Sequence, residues 1–442
     1  MATEPEQERK ELAGGGYAHA WRALRHRNFR LFFGGQTISL VGTWMTRVAT
    51  AWLVYRLTGS ALLLGTVSFA GQIPTFVLAP FAGVWVDRLD RRQVLVWTQT
   101  LAMLQSFALG VLTLAHRITI DEILALSVFQ GMINAFDMPG RQAFMVQMVE
   151  DRADLSNAIA INSSMVNSAR LIGPSLAGLV IAASSEGWCF VVDGISYIAV
   201  ILSLLLMHVH AGAGRRESAS MLEQMREGWS YVSSFVPVRT ILLLFAVVSL
   251  MGMPYMVLMP VFAGSVLHGG AHTLGFLMGA AGAGALVSAL SLVLRRSVRG
   301  LTRMIPIAAA VFGTGLVAFG FSHRLWLSLF ILLFTGFGMM QGMTASNTII
   351  QTLVPENKRG RVMSYYTAAF VGMAPFGSLL AGLLAHWIGA PRTVMLTGSC
   401  CVAGAAWFWA RLPAIRQGMR PIYERLGILT PLPRPVEEQA AN

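Results

Sequence analysis

The chain has 442 residues, with 33 Lys and Arg against 21 Asp and Glu, a formal net charge of +12. Charged residues are 12% and apolar residues 55%, where an ordinary soluble protein carries about 25% charge, and the mean hydropathy is +0.60. This excludes a disordered chain and argues against a soluble enzyme, whose surface needs more charge.

A membrane-crossing helix needs about 20 mostly apolar residues. Twelve such runs are predicted, near 31–55, 61–86, 93–115, 122–148, 157–184, 188–209, 239–263, 272–294, 304–322, 325–351, 363–388 and 393–411. They are continuous rather than alternating, which favours helices over a β-barrel. Ahead of them, residues 1–30 form an N-terminal segment whose stretch Met1–Ala20 is polar, without the apolar core and cleavage site expected of a leader. The longest loop, 210–238, divides the runs into six and six, a first bundle at 31–209 and a second at 239–411. Within it Leu222, Met225, Trp229 and Val232 share one helical face, so a linker helix is expected on the membrane surface or against the bundle. Residues 412–442 read as a tail.

Lys and Arg fix the orientation. Alternate segments, including both ends, hold 26 of them and the opposite segments hold 4. Both ends are therefore expected in the cytoplasm. The basic residues then serve topology and lipid headgroups rather than nucleic acid. The halves also echo each other: Leu64-Gly65 opens run two and Leu274-Gly275 opens run eight. Gly173-Pro174 and Gly178 in run five answer Pro375, Gly377 and Gly382 in run eleven. Such a repeat marks an alternating-access transporter.

After run two the chain reads Gly83, Asp87, Arg88, Asp90, Arg91, Arg92. Here it resembles the major facilitator superfamily, whose signature is G-x-x-x-D-R-x-G-R-R. Asp90 replaces the usual Gly and Trp85 the usual Leu. Gly83 is expected to let a neighbouring helix approach, and Asp87 to accept from amides at a helix start. The resemblance implies that Gly83, Asp87, Arg88, Arg91 and Arg92 hold the two halves together when the cytoplasmic side is closed. Stretches around Ile133–Phe144, Asn157–Ser164, Ala169–Pro174 and Arg359–Ser364 look like one branch, the transmembrane secretion effectors, which include enterobactin-exporter-like and macrolide-efflux-like proteins. That implies twelve spans in two six-helix pseudo-repeat bundles, and export across the inner membrane of a bacterium. The arginine expected three residues before Gln130-Gly131 is absent, and the antiporter motif of run five is only partly present.

Five ionisable residues lie inside runs, all in the first half: Arg47, Asp137, Arg141, Arg170 and Asp193. Each costs a few kcal/mol or more unless paired or hydrated. Gln36, Ser39, Thr43 and Arg47 share a face, as do Gln130, Asn134, Asp137 and Arg141, and Ser163, Asn167 and Arg170. Lipid satisfies none of them, so three polar faces are expected to line a common half-cavity. Asp137 and Arg170 fall at similar depth, so a pair is expected, with Asp137 the candidate for titration. Arg141 is expected nearer a cytoplasmic gate and Asp193 nearer the outer face. A static ion pair is the alternative for each. The opposite wall is expected to be soft: Met251, Met253, Met256 and Met259 in run seven, and Met339, Met340 and Met343 in run ten, beside Thr344, Asn347 and Gln351.

No phosphate loop, metal spacing or catalytic set appears, and Cys189, Cys400 and Cys401 read as buried small residues. The expectation is an all-α membrane transporter acting as a monomer without cofactor. It exports an amphipathic small molecule, siderophore-like or drug-like, in exchange for protons. An importer or facilitator of the same fold, a lipid flippase and a non-transporting membrane protein are the alternatives.

Overall fold

A computed structural model describes residues 22–149, 151, 154–207, 221–293 and 299–426. The described chain is all-α. The first six rods are α1 (Arg27–Thr58), α2 (Ala61–Arg88), α3 (Arg91–Leu114), α4 (Ile120–Met148), α5 (Leu155–Ala183) and α6 (Glu186–Leu206). A linker helix follows, Met221–Ser234. The second six are α7 (Val236–Val266), α8 (Ala271–Val293), α9 (Leu301–Gly320), α10 (Leu325–Leu353), α11 (Glu356–Ile388) and α12 (Ala390–Arg425). Ten helices among the described residues are long and apolar enough to cross a membrane. The remaining rods, α1 and α4, are as long, 32 and 29 residues, and carry internal charges.

Local chemistry sets the reversals. Gly59 adopts φ 61° and its amide donates to Tyr55 O at 2.7 Å, closing α1, a conformation glycine takes without steric cost. Thr119 and Glu122 form a reciprocal capping box that opens α4. Such short turns make successive rods antiparallel. The bundle therefore has a linker end and a far end.

Packing repeats from half to half. In the first, α1 packs on α5 and α6, α3 on α6 and α4, and α4 on α2. In the second, α7 packs on α11 and α12, α9 on α12 and α10, and α10 on α8. The halves join where α2 crosses α11 and α5 crosses α8, and the repeat maps one crossing onto the other. Glycines make both possible. A Cβ on Gly65 would lie 2.9 Å from the Cα of Gly382, and one on Gly178 would lie 3.0 Å from the Cα of Gly275. Tyr55 and Ser265 join α1 to α7 at the far end, hydroxyl to hydroxyl at 2.6 Å.

Two features depart from the sequence expectation. First, α12 runs to Arg425 instead of ending near 411, because Leu412, Ile415, Met419 and Tyr423 continue a buried face. Second, α7 and α11 are not plain α-helices. α7 contains π-turns at Val248–Gly252 and Phe262–Val266, and α11 one at Ala368–Gly372. Of the two placements expected for the linker helix, the one against the bundle is found: it docks on α11, where Glu227 pairs with Arg361 and the Trp229 ring lies 5.8 Å from that of Tyr365. Val232 is buried and Trp229 largely exposed. The side chains of Leu222 and Met225 lie outside the described residues.

Candidate functional site

A cavity of about 410 Å³ lies between the halves, the size of a small organic ligand site. Its walls differ in kind. The first half contributes Arg47, Gln72, Gln105, Gln130, Asn134 and Arg170. The second contributes Met253, Met256, Met278 and Met339.

Two arginines share one aromatic ring. Trp44 precedes Arg47 by three residues on α1, which puts both on one face. Arg170 comes from α5, which can approach because position 173 is glycine: a Cβ there would meet Val41 O at 3.0 Å. The guanidinium carbons lie 4.8 Å (Arg47) and 5.4 Å (Arg170) from the Trp44 ring centroid, within cation–π range. Nε of Arg170 is buried without a hydrogen-bond partner, and so is Oε1 of Gln130. Gln130 Nε2 donates to Asn134 Oδ1 at 3.2 Å.

The acids point elsewhere. Asp137 does not pair with Arg170. It is buried against α3, where it accepts from Gln99 Nε2 at 2.7 Å and Thr98 Oγ1 at 3.0 Å, and it pairs with Arg141 on its own helix. The i,i+4 partner wins because one turn already brings Arg141 to it, whereas Arg170 is turned toward Trp44. Arg141 is thus held by Asp137. Asp193 is buried between α1, α3 and α6, accepting from Thr46 at 2.8 Å and Ser106 at 3.0 Å. The three expected polar faces therefore split. Part lines the cavity, and part (Gln36, Ser39 and Asp137) is buried in the protein.

Within the segment after α2, Asp90 and Arg92 make contacts inside the first half. An added Cβ at Gly83 would meet nothing within 4 Å, so the close approach expected there is not made; the halves meet at the paired glycines instead. Arg88 is exposed, and the side chain of Asp87 lies outside the described residues. The amide acceptor at the start of α3 is Asp90, whose Oδ1 takes the amides of Arg92 at 2.8 Å and Gln93 at 3.2 Å. Its place just before a helical run was a readable signal. Arg92 donates to the carbonyls of Leu204 and Leu205, both at 2.7 Å, capping α6 within its own half. Arg91 is half-buried at the start of α3.

Two expected path residues stand aside. Asn167 donates to Ser163 O on α5 at 2.9 Å. Asn347 accepts from Gln351 on α10. On α10 the cavity reaches Met339, while Asn347 and Gln351 lie roughly 12–18 Å further toward the linker end at 1.5 Å per residue. Sequence reading passed over Trp44, Gln72 and Gln105. The signal for the last two was a lone amide in an apolar run.

A family model described as transmembrane secretion effector matches residues 18–424. The staphyloferrin A transporter of Staphylococcus aureus is 25% identical over 382 residues, covering 86% of this chain and 95% of the relative. The multidrug efflux pump Tap of Mycolicibacterium fortuitum is 28% identical over 362 residues, covering 80% and 88%. Macrolide efflux protein A of Streptococcus pyogenes is 21% identical, covering 86% and 96%. Among solved structures, an inward-facing, unoccupied bacterial homologue of the human lysosomal transporter Spinster superposes with a TM-score of 0.68 at 13% identity, covering 88% of this chain and 98% of that one. The nucleoside transporter NupG gives 0.65 at 13%, with the same coverage.

Proposed function

The chain belongs to the transmembrane secretion effector family of major facilitator transporters, and from that premise we propose that it exports an amphipathic organic solute, of siderophore or drug type, from the bacterial cytoplasm. The cavity carries the reading: it lies between the halves, is sized for an organic molecule, and offers polar groups on one wall and thioethers on the other. Siderophore, multidrug and macrolide relatives support export. The Lys and Arg asymmetry supports a multi-pass inner-membrane protein with the linker end and both chain ends on the cytoplasmic side. The glycine crossings stand toward the far end, which supports reading this conformation as closed to the outside. Alternating access then opens that end as the linker end shuts, with Arg88 and Arg91 at the gate.

The drive we propose is exchange for protons. Asp137 and Asp193 are the carboxyls available to hold one. Taking up a proton at Asp137 frees Arg141 and loosens the α3–α4 contact. Asp193 has hydroxyl partners, which can donate to a carboxylate or accept from a carboxyl. Purified protein in liposomes with an internal pH dye tests this. Under an imposed pH gradient, a catecholate siderophore or a macrolide should evoke proton flux, and either Asp137→Asn or Asp193→Asn should abolish it. Flux intact in both variants removes these carboxyls from coupling. Solute movement without proton flux replaces exchange by facilitated passage. Scrambling of labelled lipid with no solute movement favours a flippase.

A further inference from the structure

The cavity is unbalanced in charge. Arg47 and Arg170 both line it, and no Asp or Glu is among its described lining residues. The acids of the same half are engaged elsewhere: Asp137 with Arg141, Thr98 and Gln99, and Asp193 with Thr46 and Ser106. Even if Asp193 balances the neighbouring Arg47, Arg170 has no carboxylate partner among the described residues, and its buried Nε has no acceptor. A buried cationic donor left unsatisfied costs free energy that a ligand recovers by supplying the acceptor. Trp44 holds the two guanidinium groups around one ring. Their fixed donor geometry suits oxyanions.

We propose that the solute is an amphipathic organic anion, gripped at its carboxylate or other oxyanion by Arg170 and Arg47. Its apolar body lies against Met253, Met256, Met278 and Met339, whose unbranched thioethers adapt to varied shapes. A cation in the same place would face two like charges, with Asp193 near Arg47 alone and no carboxylate beside Arg170 among the described residues. This rests on the transporter reading and adds the sign of the substrate. It also fixes the electrical character of transport. An anion leaving and a proton entering each carry positive charge inward, so an inside-negative potential accelerates the exchange.

The test compares two xanthene dyes of opposite charge, carboxyfluorescein and rhodamine 6G, with taurocholate as a non-aromatic anion. Binding to the purified protein in lipid nanodiscs is read by fluorescence anisotropy, with taurocholate as competitor. Carboxyfluorescein should bind at least about tenfold more tightly than rhodamine 6G, and added KCl should weaken it. Arg170→Gln and Arg47→Gln should each weaken it about tenfold or more, while Arg170→Lys keeps part of the affinity. Arg56→Gln, at the far end, should leave it unchanged. Equal or tighter binding of rhodamine 6G overturns the proposal. So does unchanged affinity in both glutamine variants, or binding of neither anion at millimolar concentration. The dye preference is measured on the unaltered protein, so it stands even where a variant fails to fold. The same dyes in liposomes separate the two readings. Anion binding with no flux removes the transporter reading and keeps the site. Flux of rhodamine 6G but not of the anions keeps the transporter and removes the site.

Discussion

The two halves share one packing plan and differ in chemistry. In the first, the six rods are continuous α-helices, and all five internal charges reside there. In the second, the apolar runs carry no charge away from their ends (Arg416 and Arg420 lie in the extension of α12 beyond its run), and α7 and α11 are interrupted by π-turns. A π-turn adds a residue and leaves backbone groups out of register, which lipid cannot satisfy. Here the hydroxyl of Ser249, in the first π-turn of α7, donates to the carbonyl of Phe370, in the π-turn of α11. The irregularities thus answer each other across the second half. On one packing plan, the first half holds the internal charge and the second holds bends beside a thioether wall.

The contrast can be broken in graded steps. The largest effect is expected at the charges. Asp137→Asn strands Arg141 and should cost about 3 kcal/mol, the low end for a broken buried pair because Arg141 is partly exposed. The apparent melting temperature in detergent reads it. The neutral counterpart in the second half is Gln341, whose Oε1 accepts from Ser288 at 2.7 Å. Gln341→Leu should cost less, about 1–2 kcal/mol, and an equal or greater loss shows that the charge does not make the first half's buried polar contact the costlier one to break. Next come the crossings. Gly178→Val and Gly382→Val should each cost about 2 kcal/mol by overpacking. Injury from one alone shows that the crossings are not equivalent. Ser249→Ala should cost about 1 kcal/mol and slow solute flux more than it lowers stability, if the paired π-turns bend during transport. The smallest effect is expected at the thioether wall. Met256→Leu and Met339→Leu should each stay under about 1.5 kcal/mol, with carboxyfluorescein affinity shifted less than threefold.

Ten of the rods were legible as long apolar runs, and α1 and α4 by their length despite internal charges; the glycine echoes proved to be contacts: Gly65 meets Gly382 and Gly178 meets Gly275. The last turns of α12 escaped because mean hydropathy falls there while the buried spacing of Leu412, Ile415, Met419 and Tyr423 continues. π-turns leave no mark in apolar periodicity, since one inserted residue is lost among apolar neighbours. At the site, residue type was readable and partnership was not. Arg170 and Asp137 matched in depth, but depth does not say which way a side chain turns. Local geometry gave Asp137 to Arg141, and Gly173 brought Arg170 to Trp44. Asn347 and Gln351 shared a face correctly, at the wrong height for this cavity.

A wall built of thioethers can be rewritten by an oxidant. Peroxide converts methionine to its sulfoxide, a polar and chiral group that fits poorly among apolar neighbours, and cellular reductases reverse the change. On Met253, Met256, Met278 and Met339 this places strong dipoles along the yielding side of the cavity and leaves the guanidinium side untouched. Oxidation there would loosen the hold on a solute's greasy portion while its charged portion is still attracted, and reduction would restore the original selectivity without new synthesis.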